Sequence, residues 1–246
     1  MSELDGRVAL VTGGSRGIGA AIARSLAAAG ADVAITYASA SERAEALTGE
    51  LRASGRRAVA YEADAARPAA MAEAVERTVA DLGRVDVLVN NAGIFPNGPL
   101  EAVAAEEVER TLAVHVSAVF LASQAAARHM ADGGRIVSIG SCFAERVPYA
   151  GVTLYATSKA ALVGMTKGLA RDLGPRGIAV TVVHPGPTDT DMNPADDDGA
   201  EEEGKLTALG RYAAPEEIAA TVRYLAGPGG GYVTGTAIAV DGGYAA

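Results

Sequence analysis

The sequence predicts an α/β fold, a doubly wound parallel sheet with helices on both faces. Three observations carry this. Short β-branched runs alternate with longer helical patterns along the whole chain, the alternation that builds a parallel sheet. The first run stops at a glycine-rich turn that opens directly into a helix. The residues of chemical interest then recur just after the strand-like runs, where ligands bind in sheets of this kind.

In chain order, residues 7–12 (RVALVT) read as a buried strand that stops at glycines. Thr12-Gly13-Gly14-Ser15-Arg16-Gly17-Ile18-Gly19 follows, and residues 20–29 read as a helix capped by Gly30. Such a turn lets backbone N–H groups and the helix N-terminus meet a phosphate. The spacing is Gly-x3-Gly-x-Gly, so the position within a βαβ unit, more than the motif, carries the reading. Residues 32–37 form the second strand. An NAD-preferring fold carries an acid there, about twenty residues past the glycines. This chain has Tyr37-Ala38-Ser39 instead, with Arg16 waiting in the glycine loop. No carboxylate repels a 2′-phosphate, so the expected cofactor is NADP(H).

A helix over 42–53 and a strand over 57–62 lead to Ala63-Asp64-Ala65. A helix over 68–82 has proline in its first turn. The fourth strand, 85–89, closes with Asn90-Asn91-Ala92-Gly93. Helical periodicity over 104–130 is interrupted at Val114-His115-Val116. The fifth strand, 135–139, enters Gly140-Ser141, and a helix carries Tyr155 on to Leu173. The sixth strand, 178–183, leads to His184-Pro185-Gly186-Pro187-Thr188. Residues 189–206 are acidic and punctuated by glycine and proline; a mobile, solvated loop is expected, with a lid over the site as the alternative. A helix over 215–226 and a strand over 236–240 complete the chain. No composition break divides it, so residues 1–246 are expected to form one domain.

Composition narrows the function. With 246 residues the chain can bury a substantial core, and 49% apolar content without tryptophan points to close, alanine-rich helix–sheet contacts. The formal charge of −9, with no cluster of Lys and Arg, argues against nucleic acid as a partner. The single cysteine, Cys142, excludes an internal disulfide and a multi-cysteine metal site. It reads as a small buried residue, and no spacing of His129 or His184 points to a metal. The start has no signal-like pattern, and no apolar run reaches the roughly eighteen residues of a membrane span. A cytoplasmic protein without a membrane partner is expected.

Tyr155 and Lys159 are four residues apart, so they share one helix face. A phenol keeps its proton to about pH 10, and a nearby ammonium lowers that value. A tyrosine so tuned can give a proton to a carbonyl oxygen or take one from an alcohol. Ser141 can supply a second hydrogen bond to the same oxygen. Alone, the Tyr-x-x-x-Lys pair is a weak signal and reads better as an exposed helical pair. Its weight comes from the rest of the chain.

Those motifs together resemble the short-chain dehydrogenase/reductase family across essentially the whole length. They are the glycine loop of residues 12–19, Asn90-Asn91-Ala92-Gly93, Ser141, Tyr155-x-x-x-Lys159, Pro185-Gly186 and the closing Val240-Asp241-Gly242-Gly243. The general style is similar to the 3-oxoacyl-acyl-carrier-protein reductase branch. The resemblance implies a Rossmann-type sheet of about seven parallel strands and hydride transfer between a nicotinamide and a carbonyl or alcohol. It implies Tyr155 as acid/base, Lys159 as its pKa partner and ribose ligand, and Ser141 as the group polarising the carbonyl. Gly13, Ser15, Arg16, Gly17, Ile18 and Gly19 map to the phosphates, with Tyr37, Ala38 and Ser39 beside them. Asp64 and Ala65 map to the adenine, Asn91, Ala92 and Gly93 to the ribose, and Pro185, Gly186 and Thr188 to the nicotinamide amide. Phe95, Phe143, Tyr149 and Met192 are expected to line an apolar substrate pocket. The family also implies a homotetramer, or a homodimer.

One residue departs from the family. Where most members carry an asparagine that holds a relay water, this chain has His115. Histidine can donate and accept, so His115 is expected either to hold that water and titrate near neutrality, or to be a structural hydrogen-bonder. The leading expectation is an NADPH-dependent reductase of a ketone. The rival is a ligand-binding or regulatory protein on the same scaffold with weakened turnover. NAD-dependent alcohol oxidation is disfavoured by the missing acid.

Overall fold

Strand β1 (Val8–Val11) is buried on both faces, with every residue 1% exposed or less. Its side chains alternate between two cores, as a period of two requires. Ala9 and Val11 join helices α1 (Gly17–Ala28), α2 (Ser41–Ala53) and α8 (Pro215–Ala226) on one side. Val8 and Leu10 join helices α3 (Pro68–Leu82) and α5 (Ala118–His129) on the other. Around β1 lie β2 (Asp32–Tyr37), β3 (Ala58–Glu62), β4 (Val87–Asn90), β5 (Arg135–Ile139), β6 (Ala179–Pro185) and β7 (Thr236–Val240). All seven strands are parallel, in the order β3-β2-β1-β4-β5-β6-β7. Leu88 on β4 and Ile136 on β5, both fully buried, contribute roughly 1.5–3 kcal/mol each.

This computed structural model describes residues 2–246. The strand order reverses between β1 and β4, which opens a crevice at the carboxyl ends of those strands. Long helix α6 (Thr153–Leu173) runs alongside, and its early turns bury Ser158 and Lys159. Polar residues at such positions are expensive without partners, so that face marks a site and not ordinary packing.

Two stretches differ from the sequence reading. The helical run over 104–130 is α4 (Ala105–Leu112), a π-helical turn at Ala113–Ser117, and then α5. The turn adds a residue to the helical cycle, and it falls where Val114-His115-Val116 interrupts the pattern; such bulges recur at functional sites. The acidic stretch 189–206 holds a short helix, α7 (Ala200–Lys205). Its first turn carries Glu201, Glu202 and Glu203, charges that favour a helix N-terminus. Lys205 pairs with Glu201 and Glu202 at 2.8 Å, and Ala200 is buried.

Candidate active site

A cleft of about 530 Å3 opens at the strand ends. That is an ordinary size for a cofactor or ligand site. Every residue expected from the sequence to touch the cofactor lines it: the glycine loop, residues 37–39, Asp64 and Ala65, residues 91–93, Tyr155, Lys159, Pro185, Gly186 and Thr188. Ser141, Phe95, Phe143, Tyr149 and Met192 line it too. His115 does not.

The phosphate end is a backbone cradle. A Cβ on Gly19 would stand 2.4 Å from the Gly13 carbonyl oxygen and 2.5 Å from Asn91 Nδ2, so only glycine fits. Asn91 Nδ2 donates to the carbonyls of Thr12 at 3.0 Å and Gly13 at 3.1 Å. Thr12 Oγ1 accepts from the amides of Asn91 and Ala92 at 2.9 and 3.1 Å. The glycine loop and the end of β4 are thus tied together. Arg16 precedes α1 in extended conformation, no side chain caps that helix, and its first turn holds no acid. Its amide donors remain for an anion. Residues 37–39 bring no carboxylate, and Asp64 turns one carboxylate oxygen into its own loop, accepting from the Ala66 amide at 2.9 Å. The donor set therefore fits a nicotinamide dinucleotide carrying a 2′-phosphate.

The chemical end is buried. Ser141 follows β5; its amide donates to His184 Nδ1 at 3.0 Å, and its hydroxyl accepts from the Phe143 amide at 3.2 Å. Gly140 permits this, because a Cβ there would sit 2.2 Å from His184 Nδ1. Burial pushes the Tyr155 phenol up to about 12, while the Ser141 hydroxyl beside it pulls the other way. The sequence reading expected Lys159 to lower this value. Lys159 Nζ instead lies 5.7 Å from the Tyr155 ring centre and donates to the Ile139 carbonyl at 2.9 Å. Burial brings Lys159 itself down to about 8. In the protein alone, desolvation outweighs the charge.

His115 sits in the π-helical turn, 1% exposed. Its Nε2 accepts from the Ile94 amide at 3.1 Å. Its Nδ1 lies 2.8 Å from Ser158 Oγ, and that hydroxyl donates to the Tyr155 carbonyl at 2.7 Å. The serine hydrogen is therefore used, and Nδ1 is the donor of the pair. Both ring nitrogens are engaged by protein, which leaves neither for a relay water. Burial, then the Lys159 charge, lowers the ring to about 2. The expectation of titration near neutrality is corrected: the imidazole stays neutral and ties the loop after Gly93 to helix α6.

The apolar wall is a stack of rings. Phe95 meets Tyr155 edge-on at 4.8 Å between centroids, and Phe143 contacts Tyr155, Tyr149 and Tyr244 at 5.9, 5.5 and 5.8 Å. Tyr244, fully buried, escaped the sequence reading because its place in the wall depends on the chain end folding back. Glu203 and Asn193 also line the cleft and were missed, lying in a stretch read as a solvated loop. Tyr212 Oη donates to the Glu203 carboxylate and approaches Asn193 Oδ1 at 3.3 Å. Cys142 is buried and burial pushes its thiol up to about 12, which leaves it no thiolate character. His129 pairs with Glu76 at 2.7 Å on the surface.

Sheet, glycine cradle and the Ser–Tyr–Lys group, its serine and lysine buried, together define a dinucleotide-dependent oxidoreductase. The chain belongs to the short-chain dehydrogenase/reductase family. A family model described as Enoyl-(Acyl carrier protein) reductase matches residues 13–245. A blue fluorescent protein from a metagenomic library, solved in complex with NADPH, is 60% identical with a TM-score of 0.98 over 99% of this chain and 100% of that one. A short chain dehydrogenase from Burkholderia cenocepacia J2315, in complex with NADP, is 56% identical with a TM-score of 0.98 over the same shares. The cyclic-di-GMP-binding biofilm dispersal mediator protein of Escherichia coli K12 is 43% identical over the full length of both chains. The protein is an NADP-dependent member of this family.

Proposed function

We propose that this protein reduces a ketone on a fairly apolar molecule to a secondary alcohol, with Tyr155 as the general acid. One arrangement carries the reading: the Ser141 hydroxyl faces the Tyr155 phenol inside the wall formed by Phe95, Phe143 and Tyr149. NADPH supplies the hydride to the carbonyl carbon. Tyr155, protonated throughout the neutral range, delivers its proton to the carbonyl oxygen. Ser141 donates a hydrogen bond to that oxygen, and the Lys159 ammonium stabilises the phenolate left behind. The rings exclude water and leave room for an apolar substituent. His115 acts outside the proton relay, as a brace between Ile94 and Ser158. A homotetramer in the cytoplasm completes the reading; the family resemblance and the exposed Phe120 on α5 support the assembly.

Tyr155→Phe tests the acid. Reduction across a panel of ketones should fall at least ~100-fold, the usual effect of losing a general acid. NADPH binding should persist, and because the chain has no tryptophan, it can be followed by the cofactor's own emission. Near wild-type turnover in Tyr155→Phe would sink the assignment. The second reading, a ligand-binding protein with slow turnover, draws on the name of the Escherichia coli relative. It takes over if the wild type binds NADPH and reduces nothing in the panel.

A further inference from the structure

Arg43, in the first turn of α2, does not figure among the cofactor residues that sequence motifs single out. Its guanidinium is ion-paired with the Asp191 carboxylate, and the same carboxylate oxygen lies 3.9 Å from Arg16 Nη1. Among the described residues, neither arginine pairs with another acid. Asp191 belongs to the stretch that leaves β6 and crosses the glycine loop: a Cβ on Gly17 would stand 3.2 Å from Thr190 Cγ2. Arg16 and Asp191 both line the cleft. An internal anion therefore joins two cations, one before α1 and one at the start of α2, across the end of the cleft where no acid follows β2.

We propose that the Asp191 carboxylate stands in for the 2′-phosphate of NADP(H), and that Arg43 together with Arg16 binds that phosphate when the cofactor enters. All three side chains are about half exposed, so the carboxylate pairs are held weakly and screened by salt. A phosphomonoester brings up to two charges and three acceptor oxygens, and it meets a guanidinium fork in bidentate fashion. It therefore displaces the single carboxylate. The exchange frees the front of the 189–206 stretch from the glycine loop, so the 2′-phosphate both selects the cofactor and loosens the strap across its cleft. The inference rests on the NADP(H) assignment and is independent of which carbonyl is reduced.

Calorimetric titration of the full chain with adenosine 2′,5′-bisphosphate and with 5′-AMP tests it without turnover. Arg43→Ala should weaken the bisphosphate by about tenfold, the scale of one charge-assisted hydrogen bond, and leave 5′-AMP unchanged. Asp191→Asn, which keeps the shape and removes the competing charge, should tighten the bisphosphate roughly two- to fivefold. It too should leave 5′-AMP unchanged. Weaker bisphosphate binding in Asp191→Asn would make the carboxylate a clamp and overturn the exchange. Unaltered binding in Arg43→Ala would remove Arg43 from the site. A wild type that binds neither nucleotide would sink the cofactor assignment itself. A glutamate-specific protease supplies a second readout at Glu201 to Glu203. Cleavage should quicken in the wild type when the bisphosphate is added, and start fast in Asp191→Asn; a rate unchanged in both would overturn the release.

Discussion

His115 spends both ring nitrogens on protein partners, the Ile94 amide and the Ser158 hydroxyl, and its protonation follows from that. A proton on Nε2 would set its N–H against the Ile94 amide N–H with no acceptor, and burial removes the water that would otherwise solvate the cation. An unfolded histidine takes up a proton near pH 6.5, whereas folded His115 stays neutral down to about 2. Between those values the unfolded chain binds the extra proton. Stability is therefore fully present above pH 6.5 and is lost as pH falls below it, with a slope approaching about 1.4 kcal/mol per pH unit for one such group. His184, also lowered by burial, acts in the same direction. His115→Gln cannot titrate, so denaturant unfolding at pH 5 and pH 7.5 should show a smaller acid loss in the variant than in the wild type. Equal losses in both would return His115 to an ordinary pKa. By the same reasoning, any acidic limb in turnover near pH 6.5 comes from another group and should survive His115→Gln.

At the scale of elements, the glycine loop functions only because it can lie against the end of β4. Gly19 faces the Gly13 carbonyl and the Asn91 amide so closely that a methyl group must displace backbone. Gly19→Ala should therefore open the cradle: NADPH affinity should drop by about tenfold or more, and overpacking should lower stability by roughly 1–3 kcal/mol. Gly49 provides the contrast. It is exposed on α2, and a Cβ there meets nothing within 4 Å. Gly49→Ala should raise stability by roughly 0.5–1 kcal/mol through helix propensity alone and leave cofactor binding intact. Thermal melts and NADPH titrations of the two variants check this. Similar behaviour in both would show that crowding at Gly19 is relieved cheaply. The π-helical turn is the other local device: it turns His115 inward between α4 and α5, where its ring reaches Ile94 and Ser158.

At the scale of the whole molecule, surface chemistry bears on assembly. Phe120 on α5 is 47% exposed and Leu112 at the end of α4 is 37% exposed. Exposed apolar surface tends to be covered by a partner where it is contiguous. Light scattering on the eluting protein should give four times the chain mass, or twice it if only one interface forms. Phe120→Glu should shift the distribution to smaller species without lowering helix content. A wild type that elutes as a monomer would remove the assembly from the proposal. No helix among the described residues is long and apolar enough to cross a membrane.

The sequence by itself determined the α/β alternation, the placement of most elements and the positions that gather around the cleft. These properties are local or periodic: strand runs, helix periods, a glycine turn, and the rule that ligands meet parallel sheets at their carboxyl ends. The spacing of Tyr155 and Lys159 put both residues on one helix face, and only together with the other motifs did it point to the cleft. Their charge balance was not legible in the same way. Whether Lys159 or burial governs Tyr155 depends on how much water the fold removes, and that depends on α6 lying against β6. His115 is the sharper case. Its residue type permits relay or brace, and only the meeting of Ile94, a π-helical turn and Ser158 from three parts of the chain excludes a free nitrogen. The acidic stretch reads as solvated because its composition is polar, yet Glu203 turns toward Tyr212 and Asp191 toward two arginines. Partners distant in sequence decided those, since a charge is stabilised by what packs beside it and not by its neighbours along the chain.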